Sequence, residues 1–85
     1  MLTQRLQMTP QETFEYKQKW KPRAYVVRVH SDLATECKDW CRRNCNRWEW
    51  QCDTYTNVYE HTFYFERDDS ARDFEQRFLR WVQHP

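Results

Sequence analysis

Not one of the 85 residues is glycine, although average usage is about 7%. The phosphate-cradling loops of P-loop and dinucleotide-binding folds need glycine for close backbone approach, so nucleotide-hydrolysing chemistry of those types is not expected. A chain this short holds one domain with one core and buries little more than roughly 60% of its unfolded surface. Its core must therefore be dense. Five Trp, five Tyr and five Phe supply the material, each able to bury about 150–250 Å². They are spread along the chain, and most are expected inside.

The opening Met1-Leu-Thr-Gln-Arg-Leu-Gln-Met8 has no apolar run of signal-peptide length, and no stretch approaches the roughly 20 apolar residues of a membrane span. The expectation is a soluble cytosolic protein. In a reducing compartment its four cysteines are not expected to form a structural disulfide. The formal net charge is +1, but residues 1–48 carry ten Lys/Arg against five Asp/Glu and residues 49–85 carry four against eight. Such polarity suits self-association, a charged partner surface or nucleic acid.

Residues 1–8 read as an arm and 9–85 as a single α+β domain. Thr9-Pro10-Gln11-Glu12 combines an N-cap Thr, Pro at the first helical position and Glu at the third, which predicts a helix over 10–19. Phe14 and Lys17 share one side of it, Trp20 ends it and Pro22 forbids continuation. Ala24 to His30 is β-branched and aromatic, with Tyr25, Val27 and Val29 on one face of a first strand. Ser31 or Asp32 is expected to cap a helix running to about 46, with Leu33, Cys37, Trp40, Cys41, Cys45 and Trp48 on its apolar stripe. Trp48, Trp50 and Cys52 then alternate with polar residues, as in a second strand. Thr54 to Asn57 reads as a turn. Val58 to Glu66 alternates again, with Tyr59, His61, Phe63 and Phe65 on one face. Asp68-Asp69-Ser70 caps a last helix over 70–83 with Ala71, Phe74, Phe78, Trp81 and Val82 toward the core. A short helix followed by β-α-β-β-α predicts a three-stranded sheet in the order 1-3-2, with the two later helices on one face. This is a ferredoxin-like unit lacking its fourth strand, and the outer side of strand one must be covered or used.

The cysteines at 37, 41, 45 and 52 are the feature most like a site. At 1.5 Å rise per residue, Cys37 and Cys45 lie about 12 Å apart on a straight helix. Zinc ligands sit about 2.3 Å from the metal and so no more than about 4.6 Å apart. One i,i+4 pair at most could ligate an ion, so Cys41, Cys45, Cys52 and His61 (or His30) are the zinc candidates, set against plain burial of small apolar thiols. No cofactor is expected. Lys17, Lys19, Lys21 and Arg23 interleave with Tyr16 and Trp20, while Arg42, Arg43 and Arg47 lie near Trp40 and Trp48. Basic residues beside aromatics can hold phosphate and stack bases, although lysine runs are also ordinary solvated surface. The predicted open face of the sheet carries Glu49, Gln51, Asp53, Glu60, Thr62, Tyr64 and Glu66. It is acidic where phosphate would need positive charge, and Glu49, Asp53, Glu60, Tyr64 and Glu66 are the candidate protein-partner face. No nucleophile-base spacing, HExxH or paired-carboxylate set appears, so catalysis is not expected. Asp68 and Asp69 read as helix capping, and His30 and His61 as structural histidines.

The run Tyr16-Lys-Gln-Lys-Trp20-Lys-Pro22, then Val26-Val-Arg-Val-His30-Ser-Asp32, Trp40-Cys41, and Thr54-Tyr-Thr-Asn-Val-Tyr-Glu-His-Thr-Phe63-Tyr-Phe-Glu66 resembles small uncharacterised proteins of tailed bacteriophages, including phages of marine bacteria and cyanobacteria. These motifs are strand cores and helix faces. The resemblance, over residues 14–80, implies a phage-encoded protein in the cytoplasm of a host bacterium and carries no site residues. The resulting expectation is a non-enzymatic accessory protein that binds a host or phage protein, or a second copy of itself as a homodimer. The alternative is a nucleic-acid-binding module using the basic N-terminal half.

Overall fold

The computed structural model describes residues 8–53 and 59–82. Helix α1 spans Pro10–Trp20, strand β1 Tyr25–His30, helix α2 Ala34–Asn44, strand β2 Trp50–Asp53, strand β3 Glu60–Phe65 and helix α3 Asp68–Arg77. Short 3₁₀ turns occupy Lys21–Arg23, Ser31–Leu33, Arg47–Glu49 and Leu79–Trp81. The sheet order is β1-β3-β2. Both neighbours run antiparallel to β3, with Val27 opposite Phe63 and Cys52 opposite Phe63 from the other side. This is the α+β architecture and strand order expected from the alternation pattern. No described residue has positive φ, which agrees with turns built without glycine.

The period-two pattern explains the core. Val27 and Val29 of β1, and Phe63 and Phe65 of β3, point to one face and are buried. Against them pack Cys37 and Cys41 of α2 and Ala71 and Phe74 of α3, followed by Phe78. Phe74 is the hub. Its ring centroid lies 4.9 Å from Phe63, 5.0 Å from Phe65, 5.1 Å from Phe78 and 5.6 Å from Trp40. Each fully buried Phe contributes roughly 1.5–3 kcal/mol over an exposed one.

The capping box at Thr9 forms as the sequence predicts: Glu12 N–H donates to Thr9 Oγ1 at 3.1 Å, and Thr9 N–H donates to Glu12 Oε1 at 2.9 Å. Elsewhere local chemistry moves the boundaries. Neither Ser31 nor Asp32 is the N-cap of α2. A 3₁₀ turn intervenes, and His30 Nδ1 caps it by accepting from Asp32 N–H at 3.1 Å. Trp48 belongs to neither α2 nor β2. A second capping box, Asn46 with Glu49, folds Arg47–Glu49 into a 3₁₀ turn, so β2 starts at Trp50. Strand β3 begins at Glu60 rather than Val58, and Tyr59 before it is exposed. Helix α3 starts two residues early, with Asp68 and Asp69 inside its first turn where they oppose the positive end of the dipole. It stops at Arg77, and Leu79–Trp81 tightens into 3₁₀. The expected turn at 54–57 and residues 1–7 of the arm lie outside the described residues.

Not all aromatics are inside. Phe14, Tyr25, Tyr59 and Trp81 are exposed. Helix α1 docks instead through Thr13 and Trp20, which are buried. Trp20 Nε1–H donates to the Trp48 carbonyl at 2.8 Å, tying the end of α1 to the turn before β2.

Candidate functional site

The four cysteines are free thiols, Cys37 and Cys41 buried and Cys45 and Cys52 half-buried. Cys45 is the C-cap of α2 in extended conformation rather than a member of its interior. The Cys41 S–H donates to the Cys45 sulfur, which keeps the Cys41 proton far above the usual thiol range, with burial adding to the effect. The same bond, joined by one with Ser70, lowers the Cys45 thiol against the opposing effect of burial. Burial pushes Cys37 up to about 12 and Cys52 up to about 11. Of the zinc candidates, then, Cys41 and Cys45 are brought together as a thiol pair. Among the described residues, no group of three or more His, Cys, Asp or Glu is placed to share a metal ion. His61 is half-buried opposite Val29, and its Nδ1 has no hydrogen-bond partner among the described residues. Desolvation and the nearby Lys38 charge lower its pKa.

The sheet face expected to be open is engaged in part by α1 and the turn that follows it. Side chains of Gln51, Asp53 and Tyr64 alternate with the core residues Cys52, Phe63 and Phe65 and so point away from α2 and α3. Tyr16 of α1 donates its hydroxyl to Glu66 Oε2, and this bond is the main cause raising the Tyr16 phenol. Lys21 Nζ lies 3.3 Å from Asp53 Oδ2 and 4.7 Å from the centroid of the Tyr64 ring. Asp53 also accepts from Gln51 Nε2 at 3.0 Å and from the Tyr64 hydroxyl. Burial would raise the Asp53 carboxyl, but these donors together hold it below its ordinary value. Asp53, Tyr64 and Glu66 are therefore engaged within the chain, and one ion pair, Lys21 with Asp53, joins the basic half of the sequence to the acidic half. Glu49 lies in the 3₁₀ turn before β2, where its carbonyl accepts from Glu66 N–H at 2.9 Å, one step beyond the ladder. It caps the turn at Asn46, whose N–H donates to Glu49 Oε1 at 3.2 Å. Glu60 is half-buried at the start of β3.

The basic candidates separate into three groups. Lys21 pairs with Asp53, and Arg42 pairs with Asp39 at 2.8 Å. Lys17 and Arg47 instead meet at one cavity of about 330 Å³. Arg47 Nη2–H also donates to the Met8 carbonyl at 3.2 Å. Lys19, Arg23 and Arg43 are exposed.

The edge of β1 has a defined polarity. Ser31 N–H donates to the Tyr59 carbonyl at 2.8 Å, one step beyond the ladder. In an antiparallel ladder bonded and non-bonded pairs alternate, so the N–H and C=O of Tyr25, Val27 and Val29 point to β3, opposite Phe65, Phe63 and His61. Those of Val26, Arg28 and His30 point outward. Among the described residues the outer side of β1 meets one bridge, Val29 with Val82. Val82, from the C-terminal end, is what reaches this edge. The described end of the arm, Met8, sits instead beside Arg47 near β2. Tyr25 (47% exposed) and Val26 (49%) lie on the open stretch, with Trp81 (44%) and Leu79 (54%) just before the bridge. That a strand edge was left over was legible in the sequence. Its partial closure by Val82 was not, because Val82 reads as a helix-stripe residue. No helix of the described residues is long and apolar enough to cross a membrane. Comparisons with protein-family models, with curated proteins and with solved structures found no match.

Proposed function

We propose that the chain is a non-enzymatic phage accessory protein, acting in the cytoplasm of the host bacterium, that binds a host or phage protein by adding an extended segment of it to the outer edge of β1. The observation that carries this reading is the outward N–H and C=O of Val26 and the outward N–H of Arg28, ahead of the bridge at Val29, flanked by the exposed Tyr25, Val26 and Trp81. Main-chain bonds to an added strand give affinity, and alternate side chains give specificity. Arg23 and Arg28 are exposed beside that edge, so the fitting segment carries apolar residues interspersed with acidic ones. The acidic sheet face is set aside as a partner surface because Tyr16 and Lys21 occupy Glu66 and Asp53.

The test is capture from infected-cell lysate with tagged wild type and with Arg28→Pro, which removes an outward N–H and leaves the bonds to β3 in place. The expected result is one identified protein retained by the wild type and by Lys17→Gln, and lost by Arg28→Pro, with the Val26 and Arg28 amides protected from exchange in the purified complex. A partner retained equally by Arg28→Pro would overturn the edge as the binding surface. Sedimentation of the purified protein as a dimer that Arg28→Pro converts to monomer would make a second copy the occupant.

A further inference from the structure

Pro10, Thr13, Phe14 and Lys17 follow the i, i+3, i+4, i+7 spacing of one helix face. On α1 that face would ordinarily be packed shut. Here it is closed only at Thr13, while Phe14 stays 59% exposed. Opposite stand Arg47, from the 3₁₀ turn, and Gln51, from β2, and together these six residues line the cavity of about 330 Å³. That volume is at the small end of ligand sites, which run to roughly 300–1,000 Å³.

The chemistry of the lining is selective. Lys17 and Arg47 bring two positive charges to one space, and no carboxylate within ion-pairing distance of either is found among the described residues. Each charge makes the other's presence costly, and burial together with Arg47 lowers the Lys17 ammonium. Gln51 gives one of its two amide N–H groups to Asp53, and Thr13 gives its hydroxyl hydrogen to the Thr9 carbonyl at 2.9 Å. The oxygens of both side chains remain as acceptors. Phe14 adds a flat apolar surface at the rim. A bare anion would satisfy the cations and leave the acceptors and the ring unused. A sulfate or phosphate alone is therefore a poor match.

We infer that this cavity binds a nucleoside monophosphate, its phosphate between Lys17 and Arg47, its ribose or base donors on Gln51 Oε1 and Thr13 Oγ1, and its base stacked on Phe14. The same unit could come from a free nucleotide or from a single-stranded nucleic acid. Stacking of one base on an aromatic ring contributes about 1–3 kcal/mol, and guanidinium and ammonium groups supply the strong charge-assisted bonds to phosphate. The site lies across the sheet from the β1 edge and is independent of it.

Calorimetric titration of the full chain tests the inference with adenosine monophosphate, adenosine, inorganic phosphate and a short oligoadenylate as probes. The expected result is binding of the monophosphate at least about tenfold tighter than of adenosine or of inorganic phosphate, with Lys17→Gln and Arg47→Gln each losing about tenfold. Phe14→Ala loses about fivefold for the monophosphate and nothing for inorganic phosphate. Circular dichroism checks that each variant is folded. All three positions are at least partly exposed. Oligoadenylate binding tighter than the monophosphate assigns the source to a strand, weaker binding assigns it to a free nucleotide, and either supports the site. No monophosphate binding at millimolar concentration, binding indifferent to Lys17→Gln and Arg47→Gln, or equal binding of inorganic phosphate would overturn it.

Discussion

The Lys21 ammonium lies 3.3 Å from the Asp53 carboxylate and over the ring of Tyr64, joining the end of α1 to the central and outer strands across 32 residues of chain. This is where the positive first half and the negative second half of the sequence meet. A charge imbalance of that kind invites a search for an external partner. In this fold one pair of those charges, Lys21 with Asp53, helps hold the end of α1 on the sheet.

Lys21 and Asp53 are both partly exposed, at 28% and 38%, so solvent screening keeps their coupling small. A double-mutant cycle with Lys21→Met and Asp53→Asn should give a coupling of about 0.2–1 kcal/mol. The Asp53 carboxyl is lowered in the folded state. Its contribution is therefore full at neutral pH and is lost as pH falls through and below the ordinary carboxylate range. Urea midpoints should show the destabilisation by Asp53→Asn at neutral pH and its disappearance in acid. A difference that grows on acidification would contradict this sign.

Thr9→Ala removes the acceptor for Glu12 N–H and leaves half of the capping box. The loss should be about 0.5–2 kcal/mol, read as a lowered unfolding midpoint. It registers in global stability because Trp20 and Tyr16 fasten α1 to the body. An unchanged midpoint would mean that α1 melts independently.

The thiols should react in a fixed order. Cys45 is half-buried and lowered by the Cys41 hydrogen bond, whereas Cys52 is raised to about 11 and Cys37 and Cys41 are buried. Iodoacetamide labelling at neutral pH, followed by peptide mass spectrometry, should therefore modify Cys45 first, and Cys37 and Cys41 only after denaturation. Labelling of Cys52 ahead of Cys45 would contradict the pairing.

The elements that sequence periodicity located well are those whose signal is local. The Thr9–Glu12 box, the Val27/Val29 and Phe63/Phe65 alternation and the Ala71/Phe74/Phe78 stripe each specify their element within a few residues. The errors arose where one local signal overrode another. Alternation through Trp48 suggested strand, but Asn46-x-x-Glu49 is itself a capping signature, and it won. Ser31 and Asp32 read as caps of α2, but the imidazole of His30, which does end β1, caps a 3₁₀ turn that comes first. What sequence could not show was distant: α1 crossing to the far face of the sheet, Val82 returning to Val29, and Lys17 meeting Arg47 across 30 positions of chain. Those relationships depend on which faces pack in three dimensions, and no window of sequence contains them.

Proline substitutions along β1 should sort by direction of the N–H. Val27 bonds toward β3 opposite Phe63, and Arg28 bonds outward. Val27→Pro removes a ladder bond beside the core and should lower the melting temperature by many degrees, whereas Arg28→Pro should leave it within a few degrees. Thermal melts by circular dichroism separate the two. Equal destabilisation would mean that Arg28 already has a backbone partner within the chain.

The proposed binding mode requires the outer edge of β1 to be open, and residue-resolved amide exchange on the dilute, free protein reads that out. The predicted pattern alternates: Val27 and Val29 slow, Val26 and Arg28 fast, with protection of the latter pair appearing only when a partner binds. Slow exchange at Val26 and Arg28 in the free monomer would show the edge already covered, and would contradict the account.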